Sequence, residues 1–244
     1  MRILAIETNG ACGSVAALAD CNVLAELRLN PAQRGAQALA PGLAEVLREA
    51  GWKPRDVQLA AVSIGPGSFT ALRVGVTTAK TFAYAVAAEV LTVNTLEAIA
   101  AQVAEAATGD TIATAIDAQR GDVYAALFRR RAPFDVECVE PAAIRPADEW
   151  IAGLLADTLV GGPALETLAA RLPGGVRVAP RDAWLPMAAT VGRLAAAKYA
   201  AGQRDNLWGL APLYLRKSAA EERVTEGKRD GGKEGRRDGD IGKA

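Results

Sequence analysis

The stretch Ile64-Gly65-Pro66-Gly67-Ser68-Phe69-Thr70-Ala71-Leu72-Arg73-Val74-Gly75 constrains this chain more than any other. An apolar run, residues 59–64, leads into it and reads as a buried strand. The apolar run behind it reads as a helix reaching about Ala88. The junction is therefore a strand-loop-helix turn built on Gly-Pro-Gly. Gly65 and Gly67 permit close approaches that a Cβ forbids, and Pro66 stiffens the turn between them. Ser68 or Thr70 can cap the new helix. Such a junction either takes a phosphate on the free amides of the helix or is a plain turn.

The chain before this loop opens with three strands. Residues 2–7 read as a strand buried on both faces, and Asn9-Gly10 is a favoured tight-turn pair. Residues 13–18 form the second strand, and Val23 to Leu29, alternating in part, the third. From Ala36 the apolar period becomes helical (Leu39, Ala40, Leu43, Leu47), with Gly51 as the stop and Pro41 early in the run. After the central helix come a short strand at 90–93 and a helix at 96–107 capped by Thr95.

The second half repeats the opening. Ala5-Ile6-Glu7 is echoed by Ala115-Ile116-Asp117, and Val15-Ala16-Ala17-Leu18 by Val123-Tyr124-Ala125-Ala126-Leu127. Leu159-Val160-Gly161-Gly162-Pro163 is a weaker echo of the first glycine loop. Two related lobes follow, each a strand meander succeeded by helix-strand alternation. A last helix is expected over 186–201, and Pro212 to Arg216 as a final ordered segment. From Ala219 onward charges of both signs interleave with glycine, and almost no branched apolar residue remains. This composition predicts a disordered tail.

What is missing narrows the chemistry. The 244 residues contain no histidine, which excludes Ser-His and Cys-His nucleophiles and His-ligated metals. Lys plus Arg equals Asp plus Glu at 28 each, so no basic field attracts nucleic acid directly. Cys12, Cys21 and Cys138 lack a Cys-x-x-Cys spacing and predict small buried residues in a reducing compartment. The opening Met1-Arg2-Ile3-Leu4-Ala5-Ile6-Glu7 meets a charge too soon for a signal peptide, and this, with the lack of a long charge-free apolar run, predicts a soluble, cytoplasmic chain.

Glu7 and Asp117 each close a central strand, one per lobe. Facing each other across a cleft, they would hold Mg²⁺ and a nucleotide's phosphates, as in the actin, sugar-kinase and Hsp70 fold. Alternatively each serves its own turn. The turn from Thr8 to Gly13 offers no lysine or arginine for phosphate charge. Lys80 and Arg73 lie on the helix after the glycine loop, with Lys80 snorkelling or paired to an acid.

These strings resemble the TsaB family, the non-catalytic subunits of the bacterial machinery that makes threonylcarbamoyladenosine in tRNA. The resemblance rests on residues 3–8, the long string from Gly65 to Gly75, Ala79-Lys80, Asp117-Ala118-Gln119-Arg120-Gly121-Asp122-Val123-Tyr124 and Pro212-Leu213-Tyr214-Leu215-Arg216, and spans about residues 1–217. It implies an α/β fold of two RNase H-like lobes of the actin-like ATPase (ASKHA) type, each a mixed sheet with helices. The implied division is an N-terminal lobe over 1–109, a C-terminal lobe over 110–217 and a charged tail over 218–244. The chain departs from the family in Glu7, where Asp is usual, in Ala71, where Gly is usual, and in lacking a histidine near Arg34 to Gln37.

The family resemblance also implies partners: a TsaD-like catalytic subunit, a TsaE-like ATPase, a second copy of the chain when alone, and tRNA only through the complex. No membrane, metal or cofactor is implied. The helices over 36–50 and 69–88 would carry a largely apolar interface, with Ala36, Leu39, Ala40, Leu43, Leu47, Phe82 and Val86 as candidates. The second helix is apolar nearly all round, so it must bury more than one side. Glu7, Thr8, Gly65, Gly67 and Asp117 would form a degenerate nucleotide cleft. The leading expectation is a scaffold subunit without turnover; an independent ATP-dependent phosphotransferase of the same fold is the alternative.

Overall fold

Apolar runs of six or seven residues flanked by turns give strands buried on both faces, and those strands position everything else. The computed structural model describes residues 1–9, 12–30 and 35–216, with the side chains of Gly35 and Ala36 outside the description. The expected charged tail lies outside the described residues. In the first half, β1 (Arg2–Glu7), β2 (Ser14–Ala19) and β3 (Asn22–Arg28) precede α1 (Gly35–Glu49). Then come β4 (Leu59–Gly65), α2 (Phe69–Val86), β5 (Glu89–Asn94) and α3 (Thr95–Ala106). β1 pairs antiparallel with β2 and parallel with β4, and the sheet runs β3-β2-β1-β4-β5.

The second half supplies β6 (Thr111–Gln119), β7 (Asp122–Ala132), β8 (Asp135–Pro146), α4 (Ala147–Ala152), β9 (Leu159–Gly161), α5 (Leu165–Leu168), β10 (Arg177–Val178) and α6 (Ala188–Ala200). Its sheet runs β8-β7-β6-β9-β10, the same order as the first. The echo of Ala5–Glu7 in Ala115–Asp117 is therefore a true repeat of topology: β1 and β6 are both central, antiparallel to the next strand and parallel to the one after the loop. Both sheets lie within one compact unit, Met1–Leu213.

Two helices are exchanged between the sheets. α3 follows the first sheet in sequence, yet Leu96, Ile99, Ala100 and Val103 pack against Ile112, Phe128 and Leu159 of the second. α6 follows the second sheet, yet Ala188, Val191, Leu194 and Ala195 pack on Ile3, Ala5, Ala16 and Leu18 of the first, together with Ala98 and Ala101 of α3. The first amide of α6, on Ala188, donates to Ser14 Oγ at 2.8 Å. Gln102 of α3 donates to the Leu185 carbonyl and accepts from the Met187 amide, which fixes the approach to α6.

This layering corrects one expectation. The helix buried all round is α3, whose Thr95, Leu96 and residues 98–104 are all buried. α2 buries a single stripe, Leu72, Gly75, Val76, Ala79 and Ala83, and leaves Tyr84 68% exposed. α3 is sandwiched because two sheets reach it; α2 covers one face of one sheet. The cap of α3 also differs. Asn94 accepts from the Leu96 and Glu97 amides, while the Thr95 hydroxyl is buried without a partner. Of the free cysteines, Cys21 and Cys138 are exposed and Cys12 is half-buried, so none fills the core. Among the described residues no helix is long and apolar enough to cross a membrane.

Candidate functional site

The residues that follow β1 reach across to the glycine loop at the end of β4. Asn9, only 4% exposed, donates from Nδ2 to the Pro66 carbonyl at 2.7 Å and accepts the Ser68 amide on Oδ1 at 2.9 Å. A Cβ at Gly67 would stand 1.8 Å from Asn9 Nδ2, so glycine is required there by the side chain lying over it. Thr8 Oγ1 donates to the Ala71 carbonyl in the first turn of α2 at 2.8 Å. Thr8 also rests on Gly75, where a Cβ would be 2.5 Å from its hydroxyl.

These contacts decide what the loop can hold. A phosphate at a helix N-terminus needs free amides at its first turn. Here the Ser68 amide goes to Asn9, and Ser68 itself offers no side-chain cap. The expected cap by Ser68 is not made; Asn9, which follows β1, takes the amide of Ser68 itself. The Asn9 side chain thus closes the loop over the amino end of α2.

Glu7 lies beneath this plug with no exposed surface. Its Oε1 accepts the Asn9 amide. Its Oε2 and the neighbouring Ser63 Oγ are buried without an aligned partner. Burial pushes the carboxyl up to about 7; the Ser63 hydroxyl and the amides of Asn9 and Thr8 pull it down without offsetting the loss of water. A carboxyl of this kind carries its proton near neutrality but reaches no solvent, so it is a buried structural acid and not an accessible general base.

Glu7, Thr8, Gly65 and Gly67 are thus brought together. Asp117 is not among them: it is exposed and accepts the Gln119 amide at 2.7 Å within its own hairpin turn. No described hydrogen bond or ion pair joins Glu7 to Asp117, and each acid serves its own turn. Among the described residues no group of three His, Cys, Asp or Glu could hold a metal. Gly10 and Ala11, in the first turn, lie outside the described residues. Lys80 neither snorkels nor meets an acid. Its Nζ donates to the Trp208 and Leu210 carbonyls at 3.2 Å, tying down the segment that ends with the Leu213 amide on the Ile64 carbonyl.

The candidate interface residues divide by burial. Leu39, Leu43 and Leu47 are 1%, 6% and 4% exposed and pack beneath α1 with Leu4 and Val15 of the first sheet. They are core, because the apolar stripe of an amphipathic helix faces its own sheet first. Ala40 is exposed, and Phe82 and Val86 are half-buried. Ala36 lies in the first turn of α1, with its side chain outside the described residues. Sequence reasoning did not find the functional part played by Asn9, nor the exposed Tyr84–Trp208 pair, whose ring centroids are 5.6 Å apart.

A sequence profile of the family described as TsaD, tRNA N6-adenosine threonylcarbamoyltransferase, matches residues 29–201. The chain is 29% identical over 231 residues to the Escherichia coli tRNA threonylcarbamoyladenosine biosynthesis protein TsaB, covering 92% of this chain and 98% of that protein. It is 33% identical over 129 residues to the Bacillus subtilis protein of the same name, covering 53% and 56% respectively. Among solved structures, YeaZ from Pseudomonas aeruginosa superposes with a TM-score of 0.76 at 26% identity, over 88% of this chain and 99% of that one.

Proposed function

The chain belongs to the TsaB branch of the TsaD family, and we propose that it serves tRNA threonylcarbamoyladenosine biosynthesis as a non-catalytic partner subunit. The observation that carries this reading is the occupied loop. The Ser68 amide and the Pro66 carbonyl are already satisfied by Asn9, and the nearest acid is sealed from solvent. With no histidine in the chain and no basic side chain in the turn that follows β1, a phosphotransfer site lacks its charge.

In this reading the chemistry resides in a TsaD-type subunit, a TsaE-type ATPase joins the pair, and tRNA reaches the chain only through the complex. The first half of the chain, about residues 1–109, offers the docking face on α1 and α2, and the cytoplasm is where the tRNA substrate is met. The exposed Ala40, the half-buried Phe82 and Val86, and the exposed Tyr84 form that face. When the chain is alone, a second copy takes the partner's place.

Reconstitution tests the assignment. Threonylcarbamoyl transfer to tRNA by the TsaD-type subunit and the TsaE-type ATPase should require this chain, and the chain alone should neither transfer the group nor turn over ATP. ATP hydrolysis by the isolated chain that vanishes in Glu7→Ala or Asp117→Ala would establish the phosphotransferase instead. For the docking face, Ala40→Glu and Val86→Glu should abolish co-purification with the TsaD-type subunit while leaving the melting temperature unchanged.

A further inference from the structure

The second sheet carries a cleft of about 450 Å³ that the scaffold role leaves unused, lined by residues 108–111, 155–158 and Arg177. Its volume is that of a small-molecule site. These residues lead into β6, β9 and β10, which run parallel to one another. The cleft therefore opens at the amino ends of the strands. The glycine loops follow the carboxyl ends of β4 and β9, the usual ligand edge of such sheets. The cleft is a separate place in the fold, and it lies on the other sheet from the helices of the docking face.

Three charges line it: Asp110, Asp157 and Arg177. Among the described residues none of the three side chains makes a hydrogen bond or an ion pair. Their backbones are nonetheless fixed. The Arg130 amide of β7 donates to the Asp110 carbonyl at 2.9 Å, the Asp157 amide to the Gly175 carbonyl at 2.9 Å, and the Arg177 amide to the Thr158 carbonyl at 3.0 Å. The rim therefore carries charges of both signs that are not paired with one another, the complement of a ligand that carries both signs.

The donor set selects among ligands. A guanidinium presents parallel N–H groups that match a carboxylate, and the two aspartates accept from an ammonium group. A bare anion would meet Asp110 and Asp157, and a bare cation would meet Arg177. Leu155, 75% exposed, and Ala156 add an apolar wall. We infer that this cleft binds a free α-amino acid, with its carboxylate on Arg177, its ammonium on Asp110 and Asp157, and its side chain against Leu155. The site is independent of the docking face, so it stands or falls apart from the scaffold role.

The test is calorimetric titration of the full chain with L-leucine, N-acetyl-L-leucine, L-leucine methyl ester and inorganic phosphate. Saturable binding of L-leucine at about 1 mM or tighter is expected, with each blocked derivative and phosphate about tenfold weaker or worse, since each lacks one charge-assisted partner. Arg177→Gln and Asp157→Asn should each weaken L-leucine about tenfold at unchanged melting temperature, because both positions are exposed and asparagine tolerates the positive φ of Asp157 (64°). No saturable binding, equal binding of the ester or of phosphate, or undiminished binding by the Arg177→Gln variant would each overturn the assignment.

Discussion

The two sheets share one strand order but treat their central acid in opposite ways. At the end of β1, Glu7 is sealed under Asn9; at the end of β6, Asp117 stands in solvent and serves a hairpin turn. The loops diverge in the same sense. The first feeds α2, a helix of 18 residues, and is overlaid by a side chain. The second feeds α5, a helix of four residues, and presses against backbone: a Cβ at Gly162 would lie 2.2 Å from the Ala115 carbonyl oxygen. A repeated topology thus preserves the strand-loop frame while leaving the polar groups at its tips free to become structural.

Substitution at the two loop glycines sharpens the contrast most. Gly162 has φ 119° and meets main chain that cannot swing away, so Gly162→Ala should cost about 4 kcal/mol in urea denaturation. Gly67, itself at φ 157°, has the Asn9 amide group as its nearest neighbour, a side chain that can shift. Gly67→Ala should therefore cost less, and the double variant Asn9→Ala/Gly67→Ala should fall short of the sum of the singles by about 1 kcal/mol. Equal costs at the two glycines, or strict additivity with Asn9, would break the distinction between a side-chain plug and a backbone wall.

The acids come next. Folded Glu7 titrates near 7 and the unfolded carboxyl near 4.5, so between those values the folded chain holds an extra proton. Stability should fall as pH rises through that window, by about 3 kcal/mol in all, and be level on either side of it. Glu7→Gln keeps an oxygen for the Asn9 amide and should flatten that segment of the profile. The smallest effect belongs to the other sheet: Asp117→Asn should change stability by about 0.5 kcal/mol or less, since the side chain is exposed and serves only its own turn. A steep profile that persists in Glu7→Gln, or a larger loss of stability in Asp117→Asn than in Glu7→Gln, would reverse the comparison.

Much of this frame was legible in the residues. The apolar runs at 2–7 and 59–64 gave the central strands of the first sheet, and the echo at Ala115–Asp117 announced the second. Local composition was silent on β8, because its residues 135–146 mix charges with small side chains and hardly bury. It was silent also on the exchange of α3 and α6, which depends on shape complementarity between distant segments. The plug could not be read because Asn9 and Pro66 are 57 positions apart, and Asn9-Gly10 has an ordinary turn meaning of its own. The leucines of α1 were misplaced for a related reason: a helical stripe says that a face is covered, not by what.

The exchange of helices has a consequence for how the chain is made. The first sheet is covered by α1 and α2 on one face, but its other face waits for α6, which ends at Ala200. The second sheet cannot close until α3, already synthesised, swings onto it. A nascent chain emerging from the ribosome therefore holds an open apolar sheet through the synthesis of some hundred further residues, counted from β5 at Glu89–Asn94 to α6 at Ala188–Ala200. Neither half then reaches its native state by itself, and folding is committed late, near the carboxyl-terminal end of the described fold, as one cooperative event.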